Sequence, residues 1–483
     1  MTDHNILEQY APLFMPRTVA VIGASTKGTA LPNVFMRRIR EFGFEGAIYP
    51  IHPSAAEIDG LPAYRALADT PQPVDYAYIA VSAAQIPAML AAAAGHVRFA
   101  QVISSGFGEV DEGRQLQQQL AAAARAGGMR LLGPNCLGIY TPRGKVTFTE
   151  IGPKEVGHVG IVSQSGGLGT DIIRRGMGRG LVFSGLITVG NCADLGPSDL
   201  LEFYLADPQT KVIGFYIETA KDGRRLFEIL RAARARKPVV MLKGGRTRQG
   251  LAAAASHTGS LAGDDRAWTA LARQTGCVLV DTLDEFIDTL LIFQTLAPRR
   301  QHPTRRVVLF GNGGGTSVLA TDYFARLGLD VTPFGKHTID ALAALRLPPG
   351  TSITNPVDCP VSTLQQDDGR VAEKILAEIY ADGKPEALVM HLNLAAFVGR
   401  TKPAVLDNLV QAALRVQTHF PGRAHFVLVL RSDGEPQLEA RKREFRDQAV
   451  ALGIPVFDEM SNAGHALAAL QAHERFVISR SAA

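Results

Sequence analysis

The sequence has few of the features that mark disulfide-rich, disordered or membrane-spanning proteins. Among its 483 residues are only 4 cysteines, and 20% of the residues are charged. The cysteines are far apart and have neither metal-ligand nor redox spacing, so we expect no disulfide scaffold and no metal site. No apolar run reaches the roughly 18 residues that a membrane span needs, and the start of the chain lacks the pattern of a secretory signal. We therefore expect a cytoplasmic protein that does not enter a membrane.

Neither sign of charge dominates the sequence. The 50 Lys and Arg residues and the 46 Asp and Glu residues give a net charge of +4. These charges are spread along the chain, and no Lys/Arg block indicates a nucleic-acid partner. The slightly basic balance is compatible with an anionic ligand.

Glycine is abundant, with 48 residues that cluster in short loops between apolar runs. Short β-branched runs such as Thr18–Ile22 alternate with helical stretches, which predicts an α/β fold with doubly wound parallel sheets. A chain of this length needs about three domains of roughly 100–200 residues each. Turn-like segments place the predicted domains at residues 1–143, 144–298 and 304–483.

The second and third predicted domains open in the same way. Each has a β-branched strand, a Gly/Ser loop and a helix, at Gly160–Gly167 and at Val308–Ser317. Two copies of one domain type would explain this likeness. Doubly wound domains in general also begin in this way, so both explanations stay open.

Three loops of the first domain are predicted to lie on one edge of its sheet. They are Gly23–Gly28, Ser104–Gly108 and Gly133–Gly138. Open α/β sheets bind ligands at this edge, and a helix N-terminus after the first loop favours a phosphate, to which Lys27 adds positive charge. The spacing is not G-x-G-x-x-G, and the second strand ends in His52 and Pro53 instead of an acid, so a phosphorylated ligand other than NAD fits better. A tight turn that only packs helix on strand is the alternative for the first loop.

The second domain contains residues suited to phosphoryl chemistry. Ser163–Gly167 opens a helix, where hydroxyls and N–H groups favour an anion, although a serine there also serves as an N-cap. His257 lies among small residues, which predicts a loop-like backbone, and a neutral imidazole can accept a phosphoryl group. Glu218 ends an apolar strand at the sheet edge, where it could hold the imidazole. A lone histidine is more often structural, and the residues alone favour that interpretation.

Several segments in this order resemble the NDP-forming acyl-CoA synthetases, relatives of succinyl-CoA synthetase and ADP-forming acetate–CoA ligase. The resemblance extends over residues 11–456, and the segment around His257 is its most specific part. The segments that carry it are Val21–Ser25, Gly133–Gly138, Gly160–Gly166, Tyr216–Glu218, Ser256–Gly263, Asn312–Gly315 and Asn355–Asp358. The resemblance implies a Rossmann-like CoA-binding domain followed by two flavodoxin-like domains of the succinyl-CoA-synthetase type, which favours the repeat explanation.

The resemblance also implies a role for individual residues. His257 would be the phosphorylated histidine, and Glu218 the carboxylate that holds its ring. Two helix N-termini would face the phosphohistidine, one with Ser163, Gln164, Ser165 and Gly166, the other with Gly313, Gly314 and Gly315. The implied CoA-binding residues are Gly23, Ser25, Lys27, Pro53, Val81, Ser104, Ser105, Gly106, Phe107 and Asn135.

The implied reaction joins a small carboxylic acid to coenzyme A while an NTP is converted to NDP and phosphate, through an acyl phosphate and a phosphohistidine. Its nucleotide step needs an ATP-grasp domain, for which the three predicted domains leave no room, and the chain has no P-loop. We therefore expect an α-type subunit of a hetero-oligomer, with ATP or another NTP and Mg²⁺ bound by an ATP-grasp β-type subunit. Pro32 is a smaller departure from the family pattern, because a small residue is expected there in the first phosphate loop.

Two other functions are compatible with the CoA-binding residues. A CoA-dependent acyl or carbamoyl transferase would need no nucleotide partner, but it would also not need to keep His257 and Glu218. A non-catalytic CoA or acyl-CoA sensor would bind CoA independently of His257. A dehydrogenase is the least favoured function, because the NAD pattern is missing.

Overall fold

The computed structural model describes residues 3–258, 264–397 and 401–481, without the side chains of residues 254–258, 403 and 481. Within this part the chain forms two compact units, Met1–Phe286 and Ile287–Ala483. The first unit contains two large sheets, and the second unit contains one.

The first sheet has five parallel strands in the order β2-β1-β5-β6-β7, and β3 pairs with β4 in a separate short hairpin. Every residue of β1 and β5 is buried, as expected for parallel strands with helices on both faces. The strands are β1 (Thr18–Ile22), β2 (Ala47–Ile51), β3 (Glu57–Ile58), β4 (Leu61–Pro62), β5 (Val74–Ile79), β6 (Val97–Val102) and β7 (Arg130–Leu132). The helices are α1 (Asp3–Phe14), α2 (Leu31–Phe42), α3 (Ile86–Ala92) and α4 (Arg114–Ala126).

The second sheet has six strands in the order β13-β12-β11-β9-β10-β8, of which β8 is antiparallel to β10. Its strands are β8 (Ile139–Tyr140), β9 (Val159–Ser163), β10 (Phe183–Thr188), β11 (Val212–Ile217), β12 (Val239–Lys243) and β13 (Val278–Val280). Its helices are α5 (Gly166–Gly178), α6 (Pro197–Ala206), α7 (Gly223–Ala233), α8 (Arg248–Thr258), α9 (Asp265–Thr275) and α10 (Leu283–Thr295), the last of which continues into the second unit.

The sheet of the second unit has five parallel strands in the order β15-β14-β16-β17-β18. Its strands are β14 (Val307–Gly311), β15 (Val357–Asp358), β16 (Ala387–Asn393), β17 (His425–Arg431) and β18 (Val456–Phe457). Its helices are α11 (Gly314–Arg326), α12 (Lys336–Ala344), α13 (Val361–Leu364), α14 (Val371–Glu378), α15 (Pro403–His419), α16 (Pro436–Ala451) and α17 (Met460–Ser481).

In all three sheets the first parallel strand lies between the second and the third. This arrangement creates a switch point at the carboxyl ends of the strands, where α/β proteins bind ligands. The predicted α/β fold class, with its parallel sheets, is confirmed. Because the first sheet shares this order with the other two, strand order alone does not distinguish an internal repeat from a general property of doubly wound domains.

The first two sheets are joined by a continuous hydrophobic core. Helix α1 precedes the first sheet, yet Phe14 stacks on Phe203 of α6 with ring centroids 3.7 Å apart. The Thr141 hydroxyl donates to the carbonyl of Phe14 at 2.8 Å, and Thr141 is 1% exposed. The turn-like segment at the predicted domain boundary near residue 143 is therefore packed inside the first unit. This packing holds the ligand-binding edges of the two sheets in one body.

Candidate active site

A cavity of about 240 Å³ lies in the first unit where loops of both sheets meet. The loop after β7 contributes Asn135 and Leu137, and the start of α5 contributes Ser165 and Gly166. Asn191, from the loop after β10, completes the wall beside them. The cavity thus brings together residues that the sequence assigns to two different domains.

The N-terminus of α5 opens into this cavity. Ser165 is its N-cap and accepts a hydrogen bond from the amide of Leu168 at 3.3 Å. The amides of Gly166 and Gly167 belong to the first turn, where N–H groups have no acceptor within the helix. Gly167 is exposed, and a Cβ atom built there would meet nothing within 4 Å. This end of α5 therefore offers donors and a helix dipole to an anion.

The side chains of Ser163 and Gln164 make hydrogen bonds within the protein. The Ser163 hydroxyl is buried and donates to the carbonyl of Ser165 at 2.7 Å. The Gln164 side chain accepts from the amides of Glu218 and Thr219 and donates to the Thr219 carbonyl at 2.8 Å. Both side chains thus position the loop, and Gln164 also lines the cavity. Their assignment to phosphate binding stays a prediction.

Glu218 directly follows β11 and is 4% exposed. The Tyr216 hydroxyl donates to its carboxylate at 2.9 Å. Burial and the negative charge of Glu218 raise the pKa of Tyr216, so this phenol stays protonated as a donor. Burial lowers the pKa of nearby Lys243, an effect that the charge of Glu218 opposes. A buried carboxylate held in this way is suited to fix the orientation of an imidazole.

The backbone of His257 lies in the last turn of α8 and not in the predicted loop. Its side chain lies outside the part that the structure describes, as do residues 259–263 of the same motif. The helix is explained by the alanine run before it, because alanine has the highest intrinsic helix propensity. The assignment of His257 as the phosphorylated residue stays a prediction.

The conformation of the first glycine loop, residues 23–28, is fixed by contacts with Ala80 and Asn33. Gly23 has φ +97°, and a Cβ atom there would lie 2.3 Å from the Ala80 carbonyl oxygen, so only glycine fits at the end of β1. The Asn33 side chain accepts from the Ser25 amide at 2.8 Å and donates to the Ser25 carbonyl at 3.0 Å. Lys27 is exposed beside them. The loop is therefore preformed, with its cation at the surface.

Pro32 fits the first turn of α2 without cost. The helix begins at Leu31 with no side-chain cap, and Pro32 occupies a position whose N–H would have no intrahelical acceptor. The amides of Lys27 and Gly28 bond to Ser25. The start of α2, more than the middle of the loop, is thus the part that offers amides to a phosphate.

The other predicted CoA-binding residues differ in how exposed they are to solvent. Pro53, Ser105 and Gly106 are exposed after their strands. The Ser104 hydroxyl donates to the Val81 carbonyl at 2.6 Å, which ties two edge loops together. The side chain of Phe107 is 0% exposed in the core, so a contact with CoA at this position would have to come from its backbone. Its assignment to CoA binding stays a prediction.

Glu109 is a site residue that the sequence reasoning missed. Its carboxylate accepts from the amides of Gly106 and Phe107 and from the Asn191 side chain. Burial raises its pKa, but the hydrogen bonds from Asn191 and the loop amides outweigh burial, so the pKa lies below its ordinary value. Glu109 therefore links the edge of the first sheet to the cavity wall contributed by the second.

In the second unit, Gly313 precedes α11 with φ +119°. Its amide donates to the Asp358 carboxylate at 2.9 Å, and a Cβ atom on Gly314 would lie 3.0 Å from that carboxylate. Burial raises the pKa of Asp358, and the Gly313 amide opposes this effect. The N-terminus of α11 thus already faces a carboxylate, while Gly315 borders open space.

A cavity of about 370 Å³ lies farther along α11, beside Tyr323.

Metal clusters and membrane-spanning helices are both absent from residues 3–258, 264–397 and 401–481. No group of three or more His, Cys, Asp or Glu side chains there is arranged to hold a metal ion. None of the helices there is both long and apolar enough to cross a lipid bilayer.

Two segments of the first unit match known protein families. Residues 17–142 match the CoA binding domain, and residues 156–293 match the succinyl-CoA ligase-like flavodoxin domain. Loops of these two segments form the cavity described above.

The chain is also similar to whole proteins of known activity. The α subunit of ADP-forming acetate–CoA ligase I from Pyrococcus furiosus is 36% identical over 95% of this chain and 96% of its own length. The ADP-forming acetate–CoA ligase I of Archaeoglobus fulgidus is 35% identical over 72% of this chain and 50% of its own length. An acetyl-coenzyme A synthetase of Candidatus Korarchaeum cryptofilum, solved with phosphate and ADP, superposes with a TM-score of 0.84, 29% identity and coverage of 98% and 99% of the two chains. The chain therefore belongs to the family of NDP-forming acyl-CoA synthetases and is an acid–thiol ligase.

Proposed function

We propose that the chain is the α-type subunit of an ADP- or other NDP-forming acyl-CoA synthetase that works through a phosphohistidine at His257. The observation that carries the proposal is the shared cavity: the N-terminus of α5, the loop after β7 and Asn191 surround one space. A thiol that arrives along the edge of the first sheet could meet there the acyl carbon of an acyl phosphate whose phosphate is held at α5. A CoA transferase would need no such anion site.

The reaction would proceed in three steps. A phosphoryl group passes from His257 to the carboxylate of the acid, which forms an acyl phosphate and frees the imidazole. The thiolate of CoA then attacks the acyl carbon, and inorganic phosphate leaves with the electrons of the broken C–O bond. Transfer of a phosphoryl group from NTP restores the phosphohistidine and releases NDP.

Catalysis would rest mainly on fixed dipoles. Phosphohistidine carries almost two negative charges, and each helix N-terminus offers about half a positive charge. Gly166 and Gly167 of α5 supply one such terminus. Preorganised donors of this kind need no reorganisation when the transferred group moves, which is how phosphoryl transfer is generally accelerated. Glu218 would hold the tautomer of the imidazole.

The CoA phosphates would bind at Gly23, Ser25, Lys27 and the start of α2. The exposed residues Pro53, Ser105 and Gly106, with Val81 and Ser104 between them, would line the path of CoA to Asn135 in the cavity. Backbone donors and one mobile cation suit a diphosphate on this edge.

The nucleotide would bind to a separate ATP-grasp subunit together with Mg²⁺. The Pyrococcus furiosus relative is named a subunit, and 96% of its length aligns with 95% of this chain. The Archaeoglobus fulgidus ligase is matched over only 50% of its length. A ligase of this family therefore contains chain segments beyond those aligned here, and a partner subunit would supply them.

Labelling with inorganic phosphate tests the histidine. The purified chain is incubated with acetyl-CoA and radiolabelled phosphate, and acid-labile, base-stable label on the protein is measured. Wild type and His4→Asn, a control at an exposed histidine, are expected to take up label, and His257→Asn is not. Equal labelling of His257→Asn would refute the assignment. Absence of label in all three, with CoA binding intact and the partner added, would refute the ligase mechanism for this chain.

A further inference from the structure

Lys243 is a buried cation that has no part in the reaction proposed above. It is the last residue of β12 and is 5% exposed. Its ammonium donates to the carbonyl of Gly244, which is its one hydrogen-bond acceptor in the part of the chain that the structure describes. An ammonium has three N–H groups, and removing its charge from water is costly. A negative charge nearby offsets that cost.

Glu218 lies next to the same residue, Gly244. Strands β11 and β12 are neighbours in the sheet, with Ile217 paired to Lys243. The following residues, Glu218 and Gly244, therefore adjoin at the ends of these strands. A Cβ atom on Gly244 would lie 2.9 Å from the Tyr216 hydroxyl and 3.4 Å from Cγ of Glu218. The ammonium and the side chain of Glu218 thus both border one glycine.

The other charged groups around Lys243 are paired with one another. Arg246 donates to Asp265, the first residue of α9, at 2.5 Å and also donates to Asp281 after β13. Burial lowers the pKa of Lys243, and the charge of Glu218 opposes this effect more than the charge of Asp265 does. Arg246 adds to the lowering. Glu218 is therefore the main negative charge that Lys243 compensates.

The one tryptophan of the chain packs against Lys243. Trp268 of α9 is 8% exposed, and its ring centroid lies 5.4 Å from the ammonium. The face of an indole ring attracts a cation at this distance. The ring therefore helps to fix the position of the ammonium beside the end of β11.

We infer that Lys243 is a positioning residue for phosphoryl transfer, whose ammonium compensates the charge of Glu218 so that the carboxylate stays ionised while it holds the imidazole. The inference deepens the proposed function and rests on it, because it takes Glu218 as the group that orients His257. A buried carboxyl group without a nearby cation favours its neutral form. A neutral acid makes a weaker hydrogen bond to an imidazole N–H than a carboxylate does. Lys243 would thus act through Glu218.

A double-mutant cycle tests the inference. Initial rates of labelling with acetyl-CoA and radiolabelled phosphate are measured for wild type, Lys243→Met, Glu218→Gln and the double variant. Lys243→Met keeps an apolar stem without the charge, so we expect labelling about tenfold slower than in wild type, within the range of coupled neighbours. In the Glu218→Gln background the same change should slow labelling less than about twofold, because no carboxylate charge is left to compensate. Lys211→Met, at an exposed lysine just before β11, is the matched control and should label like wild type.

Three measurements separate this role from a loss of folding. Thermal melts, the shielding of Trp268 from acrylamide and calorimetric binding of CoA should be the same in Lys243→Met and wild type. Lys243→Gln, which is uncharged but polar, carries the cycle if the methionine variant does not fold.

The possible contrary results have different meanings. Equal slowing by Lys243→Met in both backgrounds would show that Lys243 acts independently of Glu218 and would overturn the inference, while the proposed function stands. Labelling of Lys243→Met at the wild-type rate would overturn it as well. If wild type takes up no label with the partner added, the proposed function fails and the inference fails with it.

Discussion

Membership of a sequence motif does not determine which contacts a side chain makes in the folded protein. Gln164 stands in a phosphate-loop motif, but its amide bonds the backbone of Glu218 and Thr219. Phe107 follows two serines on a ligand edge, yet it is fully buried. Glu109 has no motif at all, and its partner Asn191 is 82 positions away in sequence. Residue type predicts which chemistry is available, whereas the neighbours decide whether it is used internally.

Glu218→Gln should slow phosphorylation of the chain by about 100-fold, the scale of a lost group that positions or accepts a proton. The amide keeps the size of the side chain but removes the charge that would orient an imidazole. Tyr216→Phe, which removes only the donor at 2.9 Å from the carboxylate, should slow it severalfold. The measurement is the initial rate of labelling with acetyl-CoA and phosphate. Equal rates for Glu218→Gln and wild type would remove Glu218 from the site.

Glu109 predicts a dependence of stability on pH. Its folded pKa lies below the ordinary 4.5, so its contribution is present above that pH and disappears as the pH falls through the folded value. Glu109→Gln should therefore lower the free energy of unfolding by about 1 kcal/mol at pH 7, after allowance for partial exposure. The difference from wild type should shrink toward pH 3. Urea unfolding at both pH values measures it, with the exposed Glu112→Gln as the control. A difference independent of pH would contradict this role.

Secondary-structure elements were predicted well where the strands are buried and β-branched. The predicted strand Thr18–Ile22 is β1 with the same bounds, because a parallel strand covered on both faces must be continuously apolar. The segment before His257 was predicted as a loop and is helical in α8. Small residues were taken as a sign of a loop, but alanine is small and also the strongest helix former.

The start of α5 offers a matched pair of glycine substitutions. A Cβ atom on Gly166 would lie 2.7 Å from Cγ of Leu137, whereas one on Gly167 would meet nothing within 4 Å. Gly166→Ala should therefore push Leu137 toward the cavity and weaken phosphate-dependent labelling. Gly167→Ala should keep labelling and stabilise the fold by up to about 1 kcal/mol, because alanine restricts the unfolded chain. Labelling rates and thermal melts of both variants test this pair, and equal effects on labelling would contradict it.

At the scale of the whole molecule, packing joins segments that the sequence separates. The predicted boundary near residue 143 crosses the continuous core that includes Phe14 and Phe203. The first unit therefore extends to Phe286. The domain limits drawn from turn residues stay predictions, because a turn can end a strand without ending a folding unit.

If the chain is the α-type subunit of a ligase, as proposed, it works with a partner protein that binds the nucleotide. Affinity purification of the tagged chain from its native cells should recover an ATP-grasp protein. The pair, but not the chain alone, should make acyl-CoA from acid, CoA, ATP and Mg²⁺. The physical reason is that the proposed phosphohistidine would have to be regenerated from a nucleotide, and the sequence contains no P-loop. Nucleotide-dependent synthesis by the isolated chain would contradict this prediction, and synthesis without any nucleotide would favour a transferase.

The sequence by itself determined the fold class and the family. Buried parallel strands require apolar runs and edge loops require glycine, so both leave a pattern in the chain itself. Only the tertiary structure decided which of the predicted groups face a common cavity. It tied the Gln164 side chain to Thr219, buried the ring of Phe107 and brought Glu109 to Asn191. Such contacts join distant positions through packing, and local sequence patterns do not encode packing partners.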